Sequence, residues 1–147
     1  MQFITKDIKN SLIRALKTLK PTENGTEIQE VAGSSFQIFE AYPSIRVLPD
    51  DVDNETETNR SDERMAKFTL LTHIEMTETP ESEEEAYNTM YDLQDLIMDK
   101  LQEYDWENLV NVLQTQVTYG GYELLEMNNG INLVFRMTVT VKYSRKV

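Results

Sequence analysis

The sequence predicts an α+β domain: a mainly antiparallel sheet, two helices packed on one of its faces, and a long C-terminal β-hairpin. Three observations lead there. From Ile131 to Tyr143 every odd position is apolar, and every even position except Val134 is polar. That period of two belongs to a strand with one buried face. Residues 2–20 instead set Phe3, Ile4, Ile8, Leu12, Ile13, Leu16 and Leu19 at helical spacing, and Ala86, Met90, Leu93, Ile97 and Leu101 repeat that spacing further on.

Pro21 is expected to end the first helix, because its ring disfavours helix in the preceding residue. Thr22-Glu23-Asn24-Gly25 then reads as a turn, and Ile28 and Val31 as a short strand. Gly33-Ser34-Ser35 turns the chain again, and Phe36-Gln37-Ile38-Phe39 reads as a second short strand. Ile45 and Val47 are β-branched, so Ser44–Leu48 reads as a strand between Pro43 and Pro49. A polar stretch follows to Glu63, a flexible acidic loop over about 49–64 in an otherwise single domain spanning 1–147. Loops of that length are usually functional or mobile.

Met65–Met76 alternates again, with Ala66, Phe68, Leu70, Ile74 and Met76 on one face; Leu71 and Thr72 interrupt the pattern. It is expected to pair antiparallel with 44–48. Thr79-Pro80 opens the second helix as N-cap and first-turn proline, and the acids at 81 and 83–85 suit its positive end. The helix should close near Tyr104-Asp105. A strand follows near Gln114–Tyr119, and Gly120-Gly121 turns or bulges it into Gly121–Met127. Asn128-Asn129-Gly130 then offers the positive φ angles of a tight hairpin.

The chain has 147 residues, enough for a sizeable core, and no cysteine, hence no disulfide and no thiolate metal site. No apolar run is long enough to span a bilayer, and Met1-Gln2-Phe3 leads into a mixed polar segment rather than a secretory leader. The net charge of -12 is unevenly spread: residues 1–20 hold five Lys/Arg and one acid, residues 131–147 hold four Lys/Arg and none, and the middle holds 25 acids against five bases. Such a surface repels a phosphate backbone. It suits a wall past which DNA slides, a DNA mimic, or plain solubility.

Catalytic constellations are weak. His73 is the lone histidine, on the more polar face of its strand beside Thr69 and Glu75. A small hydrolase built round it lacks a second partner. Ser34 and Ser35 do not sit in a Gly-x-Ser-x-Gly elbow. Asp51, Asp53, Glu55 and Glu57 alternate like a calcium loop, but Thr56 replaces the needed glycine and Asp62 the bidentate glutamate. Gly120-Gly121 has no following helix to cradle a phosphate. No catalytic residue, metal or cofactor is therefore expected. The long C-terminal strand is expected to protrude and pair with neighbours, which points to assembly.

Tyr42-Pro43-Ser44-Ile45-Arg46-Val47-Leu48-Pro49, the acidic loop, Asn59-Arg60-Ser61-Asp62-Glu63-Arg64, the strand Ala66-Lys67-Phe68-Thr69-Leu70 and the helix after it resemble the tail terminator proteins of long-tailed bacteriophages, also called minor tail or tail-to-head joining proteins. The resemblance runs from the first helix to the last strand. It implies an α+β subunit in a six-fold ring that caps the tail tube, ends its growth and receives the head completion (connector) protein, with DNA passing through the lumen. It implies a virion protein, assembled in the host cytoplasm, without enzymatic activity or cofactor. A neighbouring head-tail connector is the structural alternative, and an acidic DNA-mimic inhibitor the alternative of another class. The residues themselves suggest Asp50, Asp51, Asp53, Glu55 and Arg60 of the loop, with Arg136 and Lys142 on the polar face of the last strand, as interface groups between copies.

Overall fold

The computed structural model of the chain describes residues 4–19, 28–50, 63–127 and 130–144. Five strands form one sheet: β1 (Glu30–Ala32), β2 (Ser44–Pro49), β3 (Glu63–Met76), β4 (Asn111–Met127) and β5 (Gly130–Ser144), in spatial order β1-β2-β3-β5-β4. Only β1 and β2 run parallel; every other pairing is antiparallel. Two helices, α1 (Ile4–Lys17) and α2 (Pro80–Gln102), cover one face. The α+β class, the mostly antiparallel sheet and the C-terminal β4–β5 hairpin are as the periodicities predict.

The buried stripe of α2 is Ala86, Met90, Leu93, Ile97 and Leu101. It packs on the even residues of β3 and the odd residues of β5, so Leu70 opposes Met137, and Phe68 opposes Val139, in one register. The Thr79 side chain accepts from Ser82 N, and Pro80 fills the first turn. The helix ends at Gln102, two residues before Tyr104-Asp105. Helix α1 closes earlier than its sequence suggests. Thr18 N and Leu19 N bond to Ala15 O and Leu16 O, and Thr18 Oγ1 also donates to Ala15 O, tightening the chain after Lys17. Pro21 lies outside the described residues.

Three further expectations are corrected, and the choice between a turn and a bulge at Gly120-Gly121 is decided for the bulge. Phe36–Phe39 is no strand; it belongs to a loop laid over the sheet's second face. The alternation of β3 is unbroken at Leu71 and Thr72: Thr72 faces the helices and Leu71 the other side, and register rather than polarity decides. The segments 114–119 and 121–127 are one strand of 17 residues, carried past Gly120-Gly121 by a bulge in which Tyr119 opposes Met137 and Tyr122 opposes Phe135. Gly121 takes φ +99, which only glycine adopts without strain. Finally, the last strand does not protrude. β3 flanks β5 from Met76↔Ile131 to Glu63↔Ser144, so β5 is central and β4 is the open edge. Met127 pairs with Gly130, which leaves two residues, Asn128 and Asn129, for the connection; both lie outside the described set.

Trp106-Glu107-Asn108 forms a left-handed turn between α2 and β4, with φ of 54, 56 and 57. A tryptophan at positive φ is strained and needs its surroundings to hold it. The ring is fully buried, and its Nε1 donates to Thr115 Oγ1 at 3.2 Å. Glu107 N donates to Asp105 Oδ1, and the two Glu107 carboxylate oxygens accept from Nε and Nη2 of Arg14 on α1. Tyr104 OH meets Ser11 Oγ at 2.6 Å. The turn thus ties α1, α2 and β4 together.

Candidate functional site

The sheet has two unlike ends. Helix α1 lies over β1, β2 and β3, whereas α2 lies over β3 and β4. Lys6, Lys9, Arg14 and Lys17 of α1 stand against one acid in that helix, Asp7. α2 carries Glu81, Glu83, Glu84, Glu85, Asp92, Asp95 and Asp99 against Lys100 alone. The helix layer is therefore basic above the β1 end and acidic above the β4 end.

At the β4 end the backbone edge, 17 residues long, pairs with no other strand among the described residues. Unpaired N–H and C=O groups on such an edge are a template for another chain. Leu113, Tyr119, Tyr122, Leu124 and Leu125, all on β4, are exposed large apolar side chains. On the helix side the Tyr122 ring meets Tyr87 edge-on at 5.5 Å, and Tyr119 OH reaches Met90 Sδ at 3.9 Å. On the opposite face Leu71, Val134 and Leu125 floor a hollow of about 420 Å³, rimmed by Arg136 and Glu123 beside the Gly120-Gly121 bulge.

At the β1 end that same face is covered by the loop Gly33–Pro43. Lys9 Nζ donates to Gly33 O at 3.1 Å, and Arg46 Nη1 to Ser34 O at 3.0 Å. Glu30 Oε2 accepts from Glu40 N and Ala41 N, and Ser44 Oγ donates to Ala41 O. Phe39 turns inward, with the Arg46 guanidinium 4.3 Å above its ring and His73 edge-on at 5.5 Å. Phe36 and Ile38 turn outward, 96% and 84% exposed. The loop is thus a strap pinned at both ends with an apolar crest.

His73 lies on the predicted face of β3, but the strap buries it, and neither ring nitrogen has a hydrogen-bond partner among the described residues. Burial and, secondarily, the Arg46 charge push its pKa down from 6.5 to about 4. Burial lowers the Arg46 pKa too. A neutral imidazole with no carboxylate or hydroxyl bonded to it has nothing to orient it as a base. Asn132, also buried on this face, has an unpartnered Nδ2.

Of the residues singled out in the sequence, Arg136 is exposed beside the hollow and, among the described residues, forms no ion pair. Lys142 sits 3.5 Å from Glu63 Oε2 across the β3–β5 pair. The Asp50 carboxylate is turned inward, 3.9 Å from Lys67 Nζ, so it is engaged within the subunit. Asp51, Asp53, Glu55 and Arg60 lie outside the described residues, as do Thr56, Glu57 and Asp62 of the calcium-loop comparison. The strap crest was missed. Its two apolar residues read as strand, and only contacts from Lys9, Glu30 and Arg46 reveal a pinned loop.

Among the described residues no three histidine or acidic side chains gather as a metal site, and no helix is long and apolar enough to cross a membrane. No family model matches the chain, and no curated protein matches its sequence significantly.

Proposed function

We propose that the chain is a structural subunit that assembles head-to-tail with copies of itself into a ring, and that this ring caps a phage tail tube as a tail terminator. The observation that supports this most is the polarity along the sheet. One end is basic under α1, and the other is acidic under α2 and ends in the open β4 edge. Unlike ends can meet repeatedly, and a heterologous contact whose rotation closes gives a ring. The predominantly acidic chain would line a lumen that lets DNA pass without holding it. The ring has no catalytic step and needs no cofactor. Its faces would receive the tail tube protein on one side and the head completion protein on the other, in the virion at the head-proximal end of the tail.

Virions assembled without the chain should carry tubes of uncontrolled length by electron microscopy. Tubes of normal length, joined normally to heads, would overturn the reading. A connector one position nearer the head shares these surfaces, and locating the chain in the particle separates the two. A DNA mimic is the weaker alternative, because exposed Asn88 and Tyr91 interrupt the acidic row of α2 between Glu84 and Asp95.

A further inference from the structure

We propose that two copies of the chain pair face to face about a two-fold axis, the strap Gly33–Pro43 of each seating Phe36 and Ile38 in the hollow of the other. This contact goes beyond the ring: it uses the face of the sheet opposite the helices and leaves both ends of the sheet free. Strap and hollow adjoin on that face. Arg46 and His73, on which the strap packs, pair across the sheet with Leu71 and Val134, which floor the hollow. A knob and a recess side by side, opening the same way, are complementary to their own copy. A two-fold axis lying between them, in the plane where the faces meet, carries each crest over the partner's hollow. Such a contact is isologous, so each copy takes one partner through it.

Three features select a second copy as the occupant. First, this face lets two acidic chains approach. On it β3, β4 and β5 carry Lys67, Arg136 and Lys142 against Glu63, Glu75 and Glu123, a balance of signs in a chain of net charge -12. The acidic α2 lies on the opposite face, so the pairing leaves both copies of that helix outermost. Second, crest and rim match in charge. Arg136 and Glu40 are exposed, and neither forms an ion pair among the described residues. The Arg136 stem packs over Gly120, where a Cβ would stand 3.2 Å from its Cγ and Cδ, and this holds the side chain on the rim of the hollow. The two-fold sets Glu40 of each strap against Arg136 of the other copy, so the pair forms twice and fixes the register. Third, the crest is apolar, exposed and pre-organised. Hydrogen bonds at residues 33, 34, 40 and 41, and the Phe39 ring, fix the segment before any partner arrives. Little ordering remains for binding to impose, and an apolar pair held in water gains from a hollow with an apolar floor.

Sedimentation velocity across a concentration series should show a dimer of the native chain in equilibrium with monomer. Phe36→Ser with Ile38→Ser strips both crests of the dimer and should weaken it at least about a hundredfold. Both positions are exposed, so the fold is kept. Arg136→Glu alone and Glu40→Arg alone should each disrupt the dimer, because like charges then meet twice. Mixing the two single variants should recover it, since each hollow then faces a strap of opposite sign, and combining both changes in one chain should recover it too. The chain has no cysteine, so single thiols locate the contact. Gln37→Cys and Leu125→Cys proteins, mixed under mild oxidation, should link crest to hollow well above the statistical share. Absence of a dimer, a dimer indifferent to the serine changes, or single charge variants that do not recover on mixing overturns the contact. The ring and this dimer fail separately. Normal tails without the chain would discard the ring and leave the dimer, whereas uncontrolled tails with no dimer in solution would do the reverse.

Discussion

Replacing His73 by phenylalanine should remove a pH dependence that the native protein carries between about pH 6.5 and 4. In the folded chain the imidazole is buried under Phe39, both nitrogens are unpartnered, and its pKa is held at about 4. In the unfolded chain it returns to 6.5. Above pH 7 neither state binds the proton, and the full stability is present. As the pH falls below 6.5 the unfolded state takes the proton first, so stability declines until the folded site protonates near 4 and then levels. At about 1.4 kcal/mol per tenfold in proton affinity, the loss approaches roughly 3 kcal/mol. His73→Phe keeps an aromatic edge against Phe39 and has nothing to protonate. Removing two unpartnered nitrogens makes it neutral or stabilising at pH 7.5. Urea unfolding followed by the fluorescence of Trp106, fully buried and the sole tryptophan, measures both proteins at pH 7.5 and 4.5. Carboxylates add their own acid sensitivity to both, so the informative quantity is the difference. Parallel loss in the two proteins would refute the assignment of this dependence to His73.

Other changes test the packing. Leu93→Ala, at a fully buried position where α2 meets the sheet, should cost about 2–5 kcal/mol in the same urea experiment, the range for a large side chain lost from a close-packed core. Thr79→Ala removes the acceptor for Ser82 N and should cost about 1 kcal/mol, with Thr79→Asp recovering it. Thr115→Val leaves the buried Trp106 N–H without its acceptor; a cost of about 1–3 kcal/mol is expected, visible as a lower urea midpoint and a changed emission maximum.

The elements that could be read from the sequence are those whose burial repeats with a period. The stripe of α2 and the odd residues of β5 each face a single environment for their whole length, so hydrophobicity and structure share one pattern. Legibility fails where burial comes from elsewhere in the chain. Val134 and His73 sit on the open face and are buried nonetheless, His73 beneath Phe39 of the strap. Nothing local to β3 or β5 announces that cover. Phe36-Gln37-Ile38-Phe39 carries strand-like composition, yet its backbone finds no sheet partner. Its ends are pinned by Lys9, Arg46 and Glu30, which lie 24, 12 and 10 residues from the groups they bind. The β4 bulge was half legible: two glycines announce an irregularity, but whether the strand stops or continues depends on β5, which pairs with it on both sides of the break. Arg136 was singled out from its position on the polar face, and the hollow beside it follows from the bulge.

The charge distribution sets what an assembly of this chain must rely on. A net charge of -12 makes any two copies repel at long range, and salt at about 0.1 M shortens that repulsion to around 10 Å without reversing it. Self-association therefore needs short-range contacts strong enough to work against a like-charged partner. The described surface offers such contacts at the two ends of the sheet. The β4 end has an open backbone edge and exposed apolar side chains, and the β1 end has a pinned apolar crest. Repulsion then acts as a filter. Pairings that bring acidic α2 against acidic α2 are penalised most, and the pairing that brings α2 against basic α1 is penalised least. In the proposed ring, this charge distribution would favour head-to-tail order over like-to-like pairings.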